Sequence, residues 1–450
     1  MAFISQRGGG VLLTSYALCS RTGKGVYTVN AKNTQQQCLV VHEEHIVDTG
    51  DLGDIQQRWK SEHDNTELPV RFIDSGSIVI PGMSDSHCHI LEYGASKLID
   101  LESGKSVQET VGYVAEYILA NPDIRNNMSK VIEGWGFDHT AWASGVLPVA
   151  ADLDAHPITR GRPIILQGKD GHTIWVSPSI LRANGPYPSE VDGGVVIRDA
   201  TGNPTGVFMD SAMDLIARPV LSAEDLEKRF AVTVKEALSK GVVSLHDAGF
   251  KPVSLDFFKR KSAINGLPLR IYGMTYFDED GAYWGDKSRP LIGTGNNRLT
   301  ARSVKIFADG ALRSGGAALY EPYSDNPSTS GLMRITPELL NEVVPKFLRD
   351  GWQVNIHAIG DRANGIVLDA FEVAAKKFKL DVASKRPRIE HVQIVTKNDM
   401  KRLAKLGVIA SVQPSHATDD MWYAEGRLGP ERVKNLYAFR NIMNSGARIT

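Results

Sequence analysis

From Leu221 onward, short β-branched runs alternate with amphipathic stretches of a dozen or more residues. The segment SAEDLEKRFAVTVKEALSKG places Ser222 before an acidic first turn and Gly241 just past the periodic stretch, which predicts a capped helix. VVSLHDAG follows as a buried-type strand. The alternation continues with a helix over 254–265, strands LRIYGMTYF and ARSVKIFADG, a helix over 337–349, strand QVNIHAIG, a helix over 361–377, strand RIEHVQIV, a helix over 397–406, strand VIASVQP and a helix over 431–444. Strands and helices in that rhythm predict a parallel sheet covered by helices.

The pattern before Leu221 is different. Up to Pro81, the short runs CLVVHE, PVRFIDSG and SIVIPG are separated by polar turns and predict part of a small β-sandwich or sheet cap. Residues 107–219 are irregular and rich in Gly, Pro and Trp; they hold the apolar strands KVIEGWGF and RPIILQGKDGH and a hairpin turning at Gly202-Asn203-Pro204. This stretch interrupts the main rhythm and reads as an insertion. Counting SIVIPG as the first barrel strand, six more follow, and the final ARIT resembles the start of an eighth. The expected fold is therefore α/β, a (β/α)8 TIM-type barrel in which the sequence supplied stops before strand 8 is complete. The expected domains are 1–82 (sandwich part), 83–106 with 221–450 (barrel) and 107–220 (insertion).

Composition narrows the function classes. Hydrophobic residues make up 42% and charged residues 23% of 450, ordinary globular values that permit a large core. The net charge of −1 is spread along the chain, which excludes an electrostatic footprint for nucleic acid or an anionic membrane. No apolar run approaches the ~20 residues that span a bilayer. The weak patch Val11-Leu12-Leu13, with Gly-rich flanks, argues against a secretory signal. With three cysteines (Cys19, Cys38, Cys88) and no Cys-x-x-Cys spacing, neither a disulfide framework nor a cysteine-rich zinc site is indicated, and a reducing, cytoplasmic setting is the default expectation.

Candidate chemistry gathers where the strands end. His87 and His89 stand two apart after SIVIPG, so on a strand their side chains point the same way and form a divalent-metal half-site. Taken alone, such a pair reads more readily as two polar residues in a turn than as metal ligands. Lys305 in SVKIFADG, His357 in QVNIHAIG and His391 in RIEHVQ occupy successive predicted strands and supply the rest of a site. Singly, Lys305 could snorkel or pair with Asp309, and the histidines could be hydrogen-bonded core residues. Their joint placement at one barrel mouth favours a metal. A lysine ligates poorly because, with a reference pKa of ~10.4, losing its proton at pH 7 costs roughly 4.6 kcal/mol. Two divalent ions nearby would offset that, and the neutral amine could take up carbon dioxide as a carbamate whose oxygens bridge the ions.

These residues lie in motifs that resemble the amidohydrolase superfamily, and within it the YtcJ-like branch, amidohydrolase family 3, which includes N-substituted formamide deformylase. The matching segments are PGMSDSHCH (81–89), GWGFD (134–138), DGHTIWVSPSIL (170–181), VKIFADGALRS (304–314), HAIGDRA (357–363) and RIEHVQ (388–393), in family order across nearly the whole chain. The resemblance implies a barrel of the metal-dependent hydrolase kind. It implies that His87 and His89 bind one ion, that carboxylated Lys305 bridges, and that His357 and His391 complete a second position. One or two zinc-type ions are implied, activating water for attack on a non-peptide carbon–nitrogen bond, amide or formamide-like. Trp135, His172, Asp309 and Arg313 match positions near the family's substrate pocket. The catalytic residue itself is unknown here, because the family's general-base aspartate at the end of strand 8 would fall beyond Thr450; Asp247 is a conceivable stand-in, although strand-end carboxylates more often cap turns. The expected partners are a small-molecule amide substrate and a second copy of the chain in a homodimer. The competing reading is a catalytically impaired relative that keeps the fold for binding or assembly.

Overall fold

A computed structural model describes residues 14–450, so the Val11-Leu12-Leu13 patch lies outside the described residues. The chain divides into two compact units, residues 1–84 with 241–243, and residues 85–240 with 244–450.

In the smaller unit, four strands pair in the order His45–Gly50, Cys38–His42, Ser15–Cys19, Val70–Phe72, and the helix Leu52–Glu62 packs Ile55 and Trp59 with Ala17, Val40 and Leu68. Cys19 and Cys38 stand directly opposite in the antiparallel register, with Cα atoms 4.1 Å apart, and form a disulfide. This corrects the expectation of unpaired thiols: the sequence separation of 19 says nothing of register, and register is what brings two cysteines within bonding range. The run Ile78-Val79-Ile80 is also reassigned. It is not a barrel strand; Val79 makes an isolated parallel bridge with Val26, while Ile78 and Ile80 are exposed.

The main sheet has nine strands, eight of them neighbours in chain order: β1 Met83–Cys88, β2 Val242–Phe250, β3 Arg270–Tyr276, β4 Leu299–Phe307, β5 Gln353–Ala358, β6 Arg388–His391, β7 Ile409–Ser411 and β8 Arg448–Ile449; β2 to β8 pair in parallel, and the short strand Leu291–Gly293 pairs antiparallel with β4. The first strand is thus the polar segment MSDSHC, shifted past Pro81-Gly82 from the apolar run. Strands β5 and β6 are buried along their whole length, as parallel strands covered by helices must be. The helices Pro337–Arg349 and Asp361–Phe378 contribute Leu340, Val344, Phe347, Val367 and Phe371 to the largest apolar core.

Two helices position the site's first strand. Helix α1, Ile90–Ser96, begins immediately after His89, and α2, Ala223–Ser239, carries the full capping box at Ser222 and Asp225. The two approach so closely at Gly94 that a Cβ there would stand 2.0 Å from the Arg229 carbonyl oxygen. The predicted helix over 431–444 is broken instead into Ala424–Arg432, a 3-10 turn and Phe439–Asn444. The backbone of Leu436 and Tyr437 leaves the helix to pair with Ile394 and Gln393, and Tyr437 adopts φ +54°. Residues 132–210 form their own five-stranded sheet with a separate core around Leu166 and Trp175.

Candidate metal centre

Four imidazoles and one amine meet where β1, β4, β5 and β6 end. Ring centroids lie 5.6 Å apart for His87 and His89, 4.7 Å for His87 and His391, and 4.6 Å for His357 and His391. The cluster follows from register: Phe307 on β4 pairs with His357, and Ala358 on β5 pairs with His391. Burial pushes all four imidazoles down, His87 to about 4 and the other three well below their ordinary value, with the Lys305 charge contributing in each case. Neutral imidazole is the form that carries a free lone pair.

Three of these rings have one nitrogen already engaged. His87 Nδ1 lies 2.6 Å from Glu390 Oε2, His391 Nδ1 lies 2.7 Å from Gln413 Oε1, and His357 Nε2 lies 3.3 Å from the Gly310 carbonyl oxygen. Each of these nitrogens faces an oxygen acceptor, which makes the other nitrogen of the ring the one available to a metal. The donors are gathered rather than focused: among the described residues, no three His, Cys, Asp or Glu side chains converge on one point.

Lys305 is fully buried, and its Nζ has no hydrogen-bond partner among the described residues; it stands 4.6 Å from the centroid of the Phe307 ring. Burial lowers its pKa to about 8, so deprotonation is far easier than in water. An orphaned, readily deprotonated amine among neutral histidines suits an anionic carbamate bridging divalent ions, and the chemistry of this donor set fits the group that the sequence implied.

The remaining sequence-predicted residues separate. His172 comes to the cluster from the 132–210 sheet, its ring 5.4 Å from that of His357 and its Nδ1 2.7 Å from Asp210 Oδ1. Trp135 packs near Gly171, the residue before His172, with Cζ2 3.6 Å from where a Cβ on Gly171 would lie. Asp309 sits behind His357, Oδ1 3.4 Å from Nε2, and accepts the N–H groups of Ala318, Ile359 and Gly360. Burial pushes its carboxyl up to about 7. Arg313 is turned away into a pair with Asp138 at 2.8 Å, with its guanidinium 4.8 Å from the centre of the Tyr423 ring. Asp247 accepts the N–H groups of Ile90 and Gly249, the turn-capping role already weighed for it.

Sequence reasoning missed Glu390, Asp210 and Gln413. Glu390 is adjacent to His391, and strict strand alternation sends neighbours to opposite faces. His391 has φ +80°, however, and this turn is what brings both residues to His87. Only the carboxylate's position on a buried strand could have flagged it.

The family model described as "Amidohydrolase family" matches residues 73–450. YtcJ of Bacillus subtilis (strain 168), named as an amidohydrolase, is 27% identical over 437 residues, covering 94% of this chain and 78% of that protein. LONG AFTER FAR-RED 3 of Arabidopsis thaliana is 32% identical over 391 residues, 83% of this chain and 65% of that protein. N-substituted formamide deformylase of Arthrobacter pascens is 23% identical over 443 residues, 94% of this chain and 78% of that protein. A crystal structure of an uncharacterized metal-dependent hydrolase from Pyrococcus furiosus superposes with a TM-score of 0.70 at 26% identity, covering 97% of this chain and 84% of that one.

Proposed function

The chain belongs to the amidohydrolase family, and from that premise we propose that it hydrolyses a non-peptide carbon–nitrogen bond, in an amide or formamide of a small molecule, with one or two divalent ions, zinc by preference. The observation that supports this most is Lys305: a fully buried amine with no hydrogen-bond partner among the described residues, beside four histidines held neutral. His87 and His89 would hold one ion, His357 and His391 the other. The neutral amine of Lys305 would add to carbon dioxide and release a proton, and the resulting carbamate would supply an anionic oxygen ligand. When bound, such an ion lowers the pKa of its water towards ~7 and polarises a carbonyl oxygen.

The chain's own residues do the rest. His357 and His391 are buried and His87 and His89 half-buried, which limits bulk water around them and strengthens charge interactions at the site. The outer partners Glu390, Gln413 and the Gly310 carbonyl hold protons on the far sides of their imidazoles. His172, braced by Asp210, and Trp135 are the substrate-facing residues of this reading; Asp309 and Arg313 would support the pocket through His357 and Asp138. The reading takes 107–220 as a domain inserted into the barrel formed by 83–106 and 221–450, with 1–82 as a separate domain. The cytoplasmic expectation rested on unpaired thiols, a premise the Cys19–Cys38 bond removes. No described helix is long and apolar enough to cross a membrane.

The test is turnover of a panel of N-formyl and N-acyl amines by zinc-loaded protein, followed as amine release. The reading expects hydrolysis of at least one member and its loss, by a factor of about 10³ or more, in Lys305→Ala, since such metal and nucleophile effects are worth several kcal/mol. Metal binding without turnover of any amide would favour the binding role instead.

A further inference from the structure

Glu390 has no part among the ligands, yet it is fully buried and makes the shortest polar contact described for any of them. Its Oε2 lies 2.6 Å from His87 Nδ1, and its Oε1 accepts from Arg388 Nε at 2.7 Å. Arg388 is itself anchored on three other strands: Nη2 donates to the Ser86 carbonyl at 2.5 Å and to Ser411 Oγ at 3.1 Å, and Nη1 lies 3.2 Å from His246 Nδ1.

The backbone bends to allow this. His391 and Val392 take φ +80° and +46°, left-handed values that cost non-glycine residues about 1–3 kcal/mol each. Without that turn, Glu390 and His391 would face opposite sides of β6. With it, the carboxylate grips one nitrogen of His87, while the His391 ring stands 4.7 Å away on the metal side.

We propose that Glu390 is the positioning residue of His87: its carboxylate keeps the imidazole proton on Nδ1 and so presents the Nε2 lone pair to the ion, while Arg388 keeps the carboxylate aimed. The inference rests on the metal reading above. A carboxylate at Nδ1 selects one tautomer, stops the ring from rotating and raises the basicity of Nε2. The competing role is purely structural, a buried ion pair tying β6 to β1. Such a role depends on shape and hydrogen bonding, which Glu390→Gln largely keeps.

The experiment is zinc titration of the metal-free full chain against a chromophoric chelator, comparing the unsubstituted protein with E390Q, alongside thermal melts of both metal-free forms. The expected result is a zinc affinity about 10- to 100-fold weaker in E390Q, with a melting temperature close to that of the unsubstituted protein. Equal affinities would overturn the inference while leaving the metal reading intact. An unsubstituted protein that takes up no zinc would overturn the metal reading and this inference with it. If E390Q does not fold, long-range ¹⁵N–¹H correlation of the histidine-labelled unsubstituted protein decides: His87 protonated on Nδ1 supports the proposal, and His87 protonated on Nε2 overturns it.

Discussion

Lys305 is buried without a hydrogen-bond partner among the described residues, an arrangement that works against folding. An unsatisfied buried polar group costs about 1–3 kcal/mol, so a residue kept there serves something other than stability. Lys305→Met is therefore expected to stabilise the metal-free protein by about 1–3 kcal/mol while abolishing hydrolysis, as urea unfolding and amine release would show; a loss of stability would count against the account. His246 gives a pH test away from the ligands. Burial, with Arg388 alongside, pushes its imidazole down to about 4, and Nδ1 accepts from Arg388. The unfolded state, with its histidine near 6.5, binds the extra proton between those values, so stability falls as pH drops from about 6.5 to 4. His246→Asn should lose less stability than the unsubstituted protein over that window, and parallel curves would refute the assignment. The gathering of His87, His89, His357 and His391 was legible because each follows or ends a short run that reads as a strand, even though the first of those runs was misplaced. Glu390 and Asp210 were not, because each depends on a left-handed backbone turn, at His391 and at Asp210 itself, that no side-chain pattern announces.

The rhythm of elements was legible from Leu221 on, where caps and apolar periodicity agree: the Pro337–Arg349 and Lys397–Leu406 helices fall where the pattern put them. It failed where tertiary pairing outweighed local preference. Ile78-Val79-Ile80 has the composition of a buried strand, but Val79 bridges Val26, and the polar MSDSHC segment takes the sheet position instead. Residues 436–437 similarly leave a helical pattern to pair beside β6. The placement of His89 depends on α1, and α1 on its contact with α2. Gly94→Ala would drive a methyl into the Arg229 carbonyl, which cannot yield as a flexible side chain would. The expected outcome is a loss of about 1–3 kcal/mol in urea unfolding, together with weaker zinc binding; an unchanged midpoint would show that the helices separate freely.

Across the whole molecule, the fold is carried by a nine-stranded, mostly parallel sheet, and the covalent tie lies in the smaller unit. The Cys19–Cys38 bond closes a loop of 19 residues in sequence, for which chain-entropy estimates give about 3 kcal/mol. Reduction, or Cys38→Ser, should destabilise that unit by roughly this amount. Alkylation without reductant followed by mass measurement should label Cys88 alone, and labelling of all three cysteines would remove the bond from the account. The central claim is that His87, His89, Lys305, His357 and His391 hold divalent metal. Elemental analysis of the folded chain after zinc loading and desalting tests it most directly. The account predicts one or two zinc ions per chain, reduced in His87→Ala; a well-folded chain that retains none would contradict it.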